Sequence, residues 1–133
     1  MQTVWRCLAA LAVAASLGFE AASTARAQAP PANPAAGPAP KDAAGFMARG
    51  NAWFTQNQFE KAAADYSEAI RLNPKYALAW YGRGLAWSRL KELDKAVADL
   101  NEAVKLEPGS LRSLATRGNL WIEKKEYDKA LAD

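Results

Sequence analysis

An interval of 34 residues recurs after residue 42, and this period constrains the fold more than any other feature of the sequence. The segment RGNAW, which begins at Arg49, returns as RGLAW from Arg83 and as RGNLW from Arg117. The same interval separates glycines, tryptophans, alanines and prolines: Gly50, Gly84 and Gly118; Trp53, Trp87 and Trp121; Ala62, Ala96 and Ala130; Pro74 and Pro108. A period of about 34 residues is typical of supersecondary units that stack on one another.

The apolar residues predict two helices within each unit. In the second half of the first unit they fall at Phe59, Ala62, Ala63, Tyr66, Ala69, Ile70 and Leu72, and the second unit repeats these offsets from Leu93 to Leu106. Steps of three and four residues place apolar side chains on one face of an α-helix, whereas a strand would alternate. Pro74 and Pro108 end helices, while Asp42 and Ser110 are suited to cap the next ones. The predicted fold class is all-α.

This layout resembles the tetratricopeptide repeat. The residues that carry the resemblance are Gly50, Trp53, Phe59, Ala62, Tyr66, Ala69 and Pro74 in the first unit, and Trp80, Gly84, Trp87, Ala96, Leu100, Ala103 and Pro108 in the second. The resemblance implies a right-handed α-solenoid of antiparallel helix pairs, whose first helices line a concave face. About two and a half units are expected, at residues 43–76, 77–110 and 111–133, the third being incomplete.

The recurring glycine needs a physical reason, because glycine inside a helix costs about 1 kcal/mol relative to alanine. We expect it to let the two helices of a unit approach closely, while the following tryptophan packs beside the alanine of the second helix. Burial of a large aromatic side chain contributes about 2 to 3 kcal/mol, which outweighs the cost of the glycine. The repeated glycines are therefore interpreted as structural.

The recurring arginine has two possible acidic partners. Each of the three arginines precedes an aspartate by 16 positions, as Arg49 precedes Asp65. Arg83 and Arg117 also follow the aspartates of the preceding unit, Asp65 and Asp99, by 18 positions. We therefore hypothesise a ladder of Arg–Asp pairs, formed within each hairpin or with the preceding unit, that determines how the units stack.

The turn between the two helices departs from the pattern of the family. It usually carries glycine, but here it carries Asn57, Lys91 and Lys125. Asparagine tolerates a left-handed conformation, and lysine does so less well. The two lysine turns are therefore expected to be strained or built differently.

Residues 1–42 do not have the composition of a folded core. Residues 1–27 combine a positive charge, an apolar run from Leu8 to Phe19 and a small-x-small site, which predicts a signal peptide that is cut after Ala27. The run is too short for a stable membrane anchor. Residues 28–42 predict a solvated linker that is rich in proline and alanine. We therefore expect a periplasmic or secreted protein of a Gram-negative bacterium.

The composition argues against catalysis and against nucleic acid as a partner. The chain has no histidine, and its single cysteine, Cys7, lies in the predicted signal peptide. The commonest catalytic nucleophiles, general bases and soft-metal sites need these residues and therefore cannot be formed. Neither an enzyme nor a metal or other cofactor is expected. The net charge is only +3, and basic blocks that would follow a phosphate backbone are absent from the sequence.

A protein or peptide partner is expected on the concave face that the resemblance implies. Its exposed positions would be Ala44, Met47, Asn51, Phe54 and Thr55, then Leu78, Tyr81, Leu85, Ser88 and Arg89, then Arg112, Ala115, Asn119, Ile122 and Glu123. Apolar anchors would supply affinity there, and amides would bond a peptide backbone. Each residue could instead serve ordinary packing between units. The set of lysine, asparagine and arginine with which some family members capture a peptide C-terminus is largely missing, so that mode is not predicted.

The sequence stops at Asp133, just after the last helix has begun its apolar stripe at Tyr127, Ala130 and Leu131. Repeat arrays normally finish with a polar capping helix. Three hypotheses are left open. The preferred one is a non-catalytic interaction scaffold or adaptor. The alternatives are a homo-oligomer that associates through the open end, and the N-terminal module of a longer protein.

Overall fold

A computed structural model describes residues 33–133, and in this part of the chain every regular element is an α-helix. The predicted signal peptide, and residues 28–32 of the predicted linker, lie outside the described residues. The helices are α1 (Ala43–Thr55), α2 (Phe59–Leu72), α3 (Ala77–Arg89), α4 (Leu93–Leu106), α5 (Leu111–Glu123) and α6 (Tyr127–Ala132). The all-α prediction of stacked helix pairs is confirmed. No helix among residues 33–133 is both long and apolar enough to span a bilayer.

Side-chain caps and left-handed turns set the ends of the helices. The Asp42 carboxylate accepts a hydrogen bond of 2.7 Å from the Gly45 amide, and the Ser110 hydroxyl accepts one from the Ser113 amide. Each first helix ends in a turn with one left-handed residue: Asn57, Lys91 and Lys125 have φ of 59°, 64° and 63°. The two lysines occupy a backbone region that costs a residue with a Cβ about 1 kcal/mol or more.

The core contains alanines of α2, α3 and α4, arranged around two larger side chains. Ala62, Ala69, Ala79, Ala86 and Ala96 are completely buried, and Ala103 is nearly so. Tyr66 and Leu100, one residue from each of the first two units, are the largest fully buried side chains. Trp87 packs against the cores on both sides of it, and thereby joins the first unit to the second.

The repeated glycines lie where the two helices of a pair meet. A Cβ built on Gly50 would approach the Tyr66 ring to 2.7 Å, and one on Gly84 would approach Leu100 Cγ to 3.1 Å. These distances leave no room for alanine at Gly50 without movement of a buried ring. Around Gly118 the nearest atom would be 3.7 Å away, so the third pair packs more loosely.

The arginines pair with aspartates inside their own hairpins. Arg49 and Asp65 form two hydrogen bonds of 2.7 Å, Arg83 and Asp99 do the same, and Arg117 pairs in the same way with Asp133. The alternative pairing between units, such as Arg117 with Asp99, is wrong, because the fold of each hairpin already brings its own carboxylate to the guanidinium. The hydrogen bonds from Arg49 to Asp65 and from Arg117 to Asp133 raise the pKa of each arginine above its ordinary value.

The link between units uses the remaining guanidinium nitrogen. Arg83 Nη1 donates to Ser67 Oγ of the first unit at 3.0 Å, and Arg117 Nη1 donates to Asn101 Oδ1 of the second unit at 2.9 Å. Ser67 and Asn101 occupy equivalent positions of successive units. The hypothesised ladder therefore exists in a different form, with aspartates inside the hairpins and a serine or asparagine between them.

Candidate functional site

A groove runs between α3 and α5, the first helices of the second and third units, and it contains two cavities. Both cavities are lined by one side of α3 and the facing side of α5. The Tyr81 cavity, of about 350 Å³, lies where the two helices begin, and is lined by Ala77, Leu78, Tyr81, Glu107, Ser110, Leu111, Arg112 and Ser113. The Arg89 cavity, of about 450 Å³, lies where they end, and is lined by Leu85, Ser88, Arg89, Lys91, Thr116, Asn119, Leu120 and Glu123.

The Tyr81 cavity combines exposed apolar side chains with polar ones. Leu78 and Leu111 are 41% and 81% exposed, which is unusual for leucines that face each other across a groove. The guanidinium of Arg112 lies over the Tyr81 ring, 5.7 Å from its centroid. This stacking holds the arginine against the aromatic face and leaves the Glu107 carboxylate as the acidic group of the cavity. The arrangement suits an apolar side chain.

The Arg89 cavity is polar, with a buried apolar floor. Leu120 is almost completely buried beneath it, and Leu85 lines its α3 side. An ion pair of 2.9 Å between Lys91 Nζ and Glu123 Oε1 connects the turn after α3 to the end of α5. Arg89 is exposed, and within residues 33–133 it has neither a carboxylate nor an aromatic ring as a partner. The three charged residues of this cavity sum to one net positive charge.

Predicted concave-face residues divide into those that the groove brings together and those that the fold uses for packing. The Tyr81 cavity contains Leu78, Tyr81 and Arg112, and the Arg89 cavity contains Leu85, Ser88, Arg89, Asn119 and Glu123. Ile122 is exposed but lines neither cavity.

Three predicted residues on α1 contact the protein itself. Met47 packs against two core clusters, and the Phe54 ring meets Phe59 edge-on with centroids 5.2 Å apart. Asn51 Oδ1 accepts a hydrogen bond of 2.8 Å from the Tyr66 hydroxyl. Burial of the Tyr66 ring, with a smaller contribution from Asp65, raises the pKa of Tyr66 to about 12. Asn51 thus serves the packing of the first unit.

Several groove residues were absent from the sequence-based prediction, namely Ala77, Lys91, Glu107, Ser110, Leu111, Ser113, Thr116 and Leu120. Thr116 lies one helical turn after Arg112, so the helical period alone could have found it. Lys91 and Glu107 lie between helices, and a pattern drawn along the first helices does not reach them.

Some acidic side chains elsewhere in the described part of the chain are engaged in ion pairs. Lys124 Nζ lies 2.6 Å from Asp94 Oδ1, and this hydrogen bond lowers the pKa of Asp94 and raises that of Lys124. The hydrogen bond from Lys129 lowers the pKa of Glu126. Among residues 33–133, no cluster of three or more histidine, cysteine, aspartate or glutamate residues is arranged to hold a metal ion.

The sequence profile described as tetratricopeptide repeat matches residues 8–76 and 47–111. The chain belongs to the tetratricopeptide-repeat family. The two matched segments together extend over most of the sequence, and the second includes α3, α4 and the first residue of α5. A comparison with curated proteins gave no match.

Solved structures of other proteins resemble this fold. MamA is 28% identical with a TM-score of 0.67; the match covers 68% of this chain and 53% of MamA, so this chain spans about half of that protein. The TPR2B domain of yeast Sti1, in a complex with pHsp70, is 29% identical with a TM-score of 0.66, covering 68% of this chain and 72% of that one. The first such domain of Spaghetti, bound to the HSP90 peptide SRMEEVD, is 25% identical with a TM-score of 0.66, covering 67% and 71%.

Proposed function

We propose that this tetratricopeptide-repeat protein is a non-catalytic interaction module that binds a peptide segment of a partner protein in the groove between α3 and α5. The observation that carries the proposal is the pair of cavities in that groove, which together expose leucines, an aromatic ring and unpaired polar groups along one line. Solved domains with peptide ligands support it, because the complexes of Sti1 and Spaghetti share the fold. The role we assign to the protein is that of a scaffold or adaptor.

The experiment is a selection of phage-displayed random peptides on the purified protein, followed by affinity measurements on a variant with a filled groove. Asn119→Trp places a large side chain in the Arg89 cavity, at an exposed position whose amide makes no hydrogen bond within the described residues. Ala98→Trp adds the same side chain at an exposed position of α4 that lines neither cavity.

We expect selected peptides to bind Asn119→Trp at least about ten-fold more weakly than the unmodified protein, since a blocked pocket removes an anchor. Ala98→Trp is expected to bind them normally. Selected peptides that bind both variants equally well would place the site elsewhere, and a selection that yields no binder would refute the proposal.

We also propose that the protein is exported and works in the periplasm. The support is the charge, apolar run and small-x-small site of residues 1–27. The intact mass of the protein from the periplasmic fraction is expected to correspond to a chain that begins at Gln28. Retention of Met1 in the recovered protein, or its absence from that fraction, would contradict this proposal.

Self-association is the second candidate. It is favoured by two apolar side chains of α6, since Tyr127 is 61% and Leu131 89% exposed. A second copy covering them would form a homodimer through the third unit. Sedimentation equilibrium tests this directly: a dimer that Leu131→Ser converts to a monomer supports it, and a monomer at high protein concentration excludes it.

A further inference from the structure

We infer that the ligand of the groove is an extended acidic peptide segment, in which a carboxylate side chain pairs with Arg89 and an apolar side chain four residues away occupies the Tyr81 cavity. This inference rests on the proposed peptide-binding function and deepens it, because it specifies the chemistry and the spacing of the ligand. Three observations carry it: the partners of the arginines, the contrast between the cavities and the distance between them.

Arg89 differs from the other arginines of residues 33–133. Arg49, Arg83 and Arg117 are bound by aspartates, Arg71 pairs with Glu68, and Arg112 stacks on Tyr81. Arg89 alone among them lacks such a partner, and it lines a cavity. The equivalent position of the next unit is Glu123, which pairs with Lys91 in the same cavity. The acid of this cavity is thus paired with Lys91 and not with Arg89, and a carboxylate of a ligand could form an ion pair with Arg89.

The groups beside Arg89 also favour an anion. The Asn119 amide and the Ser88 hydroxyl line the same cavity and make no side-chain hydrogen bond among residues 33–133. They can donate to a carboxylate that Arg89 holds, and Leu85 and Leu120 would contact the methylene groups behind it. One net positive charge remains in this cavity after the Lys91–Glu123 pair is counted.

The Tyr81 cavity favours an apolar group over an acid. Its two charged side chains, Glu107 and Arg112, cancel, so the cavity has no net charge that would attract a carboxylate. Leu78 and Leu111, in contrast, lose exposed apolar surface when a leucine-sized side chain enters. The two cavities therefore favour different ligand side chains.

The helix that both cavities share gives the spacing. On α3 the Tyr81 cavity is centred near Leu78 and Tyr81, and the Arg89 cavity near Leu85 and Arg89. These centres are about eight residues apart, or about 12 Å at 1.5 Å per residue. An extended peptide advances about 3.3 Å per residue and turns alternate side chains to the same face, so the two anchors should be four residues apart.

The test uses synthetic peptides that are acetylated and amidated, so that no terminal carboxylate can contribute. The series contains one leucine and one aspartate in a polar host, spaced by two, four or six residues and in both orders, together with the same peptides carrying asparagine in place of aspartate. Affinities are measured by fluorescence anisotropy with the full chain, with Arg89→Gln, and with Arg71→Gln. Arg71→Gln removes the same charge from an exposed arginine of α2 that lines neither cavity.

We expect the peptide with spacing four to bind best, in one of the two orders. Replacing its aspartate by asparagine is expected to weaken binding about five-fold, and Arg89→Gln is expected to weaken it by the same factor, as suits an exposed ion pair. Arg89→Gln should leave the affinity for the asparagine peptide unchanged, and Arg71→Gln should change the affinity for neither peptide. About 0.5 M salt should reduce the difference in affinity between the aspartate and asparagine peptides.

The inference is overturned if aspartate and asparagine peptides bind equally, if the preferred spacing is two or six, or if none of these capped peptides binds. These failures leave the proposed function intact as long as Asn119→Trp still weakens binding of the selected peptides. If Asn119→Trp also leaves the affinity for the selected peptides unchanged, the proposed function is wrong as well.

Discussion

The two junctions between units are built differently, although the residues around them follow one repeat. At the first junction the Tyr66 ring lies between two glycines: a Cβ on Gly50 would approach it to 2.7 Å and one on Gly82 to 2.9 Å. At the second junction Leu100 takes the place of Tyr66, and Thr116 takes the place of Gly82. Here α3 and α5 enclose two cavities, and the Thr116 side chain lines one of them.

The difference shows how a repeat protein can separate stability from binding. Where a glycine faces an aromatic ring, α3 packs tightly against the first unit and Met47 is used in the core. Where a threonine holds that position, the neighbouring first helices leave space, and ion pairs such as Lys91 with Glu123 connect them at the edge. The tight junction supports the fold, and the open junction provides the candidate site.

Gly82→Thr should have the largest effect, because it gives the first junction the residue of the second. The new Cβ and its substituents would collide with a ring that is 2% exposed and hydrogen-bonded to Asn51. Overpacking of this kind lowers the free energy of unfolding by about 2 to 3 kcal/mol. Chemical denaturation measures it. The reverse change, Thr116→Gly, serves as the control and should cost less than about 1 kcal/mol, the difference in helix propensity. Equal losses would show that the junctions are packed alike.

The second prediction concerns alkaline pH, to which the two junctions should respond differently. Tyr66 has a pKa of about 12, compared with an ordinary value of 10.0, because its ring is buried. The raised pKa means that the folded state keeps the proton longer, so its contribution to stability is present below pH 10 and is lost as the pH rises towards 12. Denaturation at several pH values should show a decrease of about 2 to 3 kcal/mol from this group. Tyr66→Phe should lose this component of the decrease. An unchanged pH profile would mean that the ring titrates normally.

A third prediction tests what the junctions share. Ser67→Ala removes the acceptor of Arg83 at the first junction, and Asn101→Ala removes that of Arg117 at the second. Each loss should lower the free energy of unfolding by about 1 kcal/mol, the usual contribution of one hydrogen bond. Ser88→Ala is a control, since that hydroxyl makes no hydrogen bond within the described residues. A cost at one junction only would show that the arginine link is not common to both.

The smallest effect is expected for the surface ion pair of the second junction. Asp94→Asn removes one of the two acidic partners of Lys124, whereas Glu60→Gln, at the equivalent position of the first unit, removes a charge without an ion pair in the described structure. Only the first variant should be less stable in low salt, and about 1 M salt should abolish the difference. Because Lys124 lowers the pKa of Asp94, the pair stabilises the fold above the ordinary range of aspartate and is lost as the pH falls through the lowered pKa. Identical salt responses of the two variants would count against a contribution from the pair.

The repeat spacing was sufficient to predict the helices and their order, because a fixed period with helical apolar steps leaves few other folds. The spacing did not predict which junction between units contains the cavities. Gly82 lies outside the repeated set, with Ala48 and Thr116 at the equivalent positions, so the period gives it no prominence. The groove depends on the local exchange of Gly82 for Thr116, and on Lys91 and Glu107 between helices. The family resemblance predicts Phe54 on the concave face, but its ring packs against Phe59 of the same unit. This contact depends on the particular neighbours of Phe54, which the repeat spacing does not specify.

The guanidinium groups of Arg83 and Arg117 divide their hydrogen bonds between their own hairpin and the preceding unit. Closure of a hairpin therefore orients the same group that attaches it to its neighbour, so the formation of a unit and its addition to the array are coupled steps. In a linear array of this kind, such coupling raises the cooperativity of unfolding, since a unit that opens also releases a contact of the one before it.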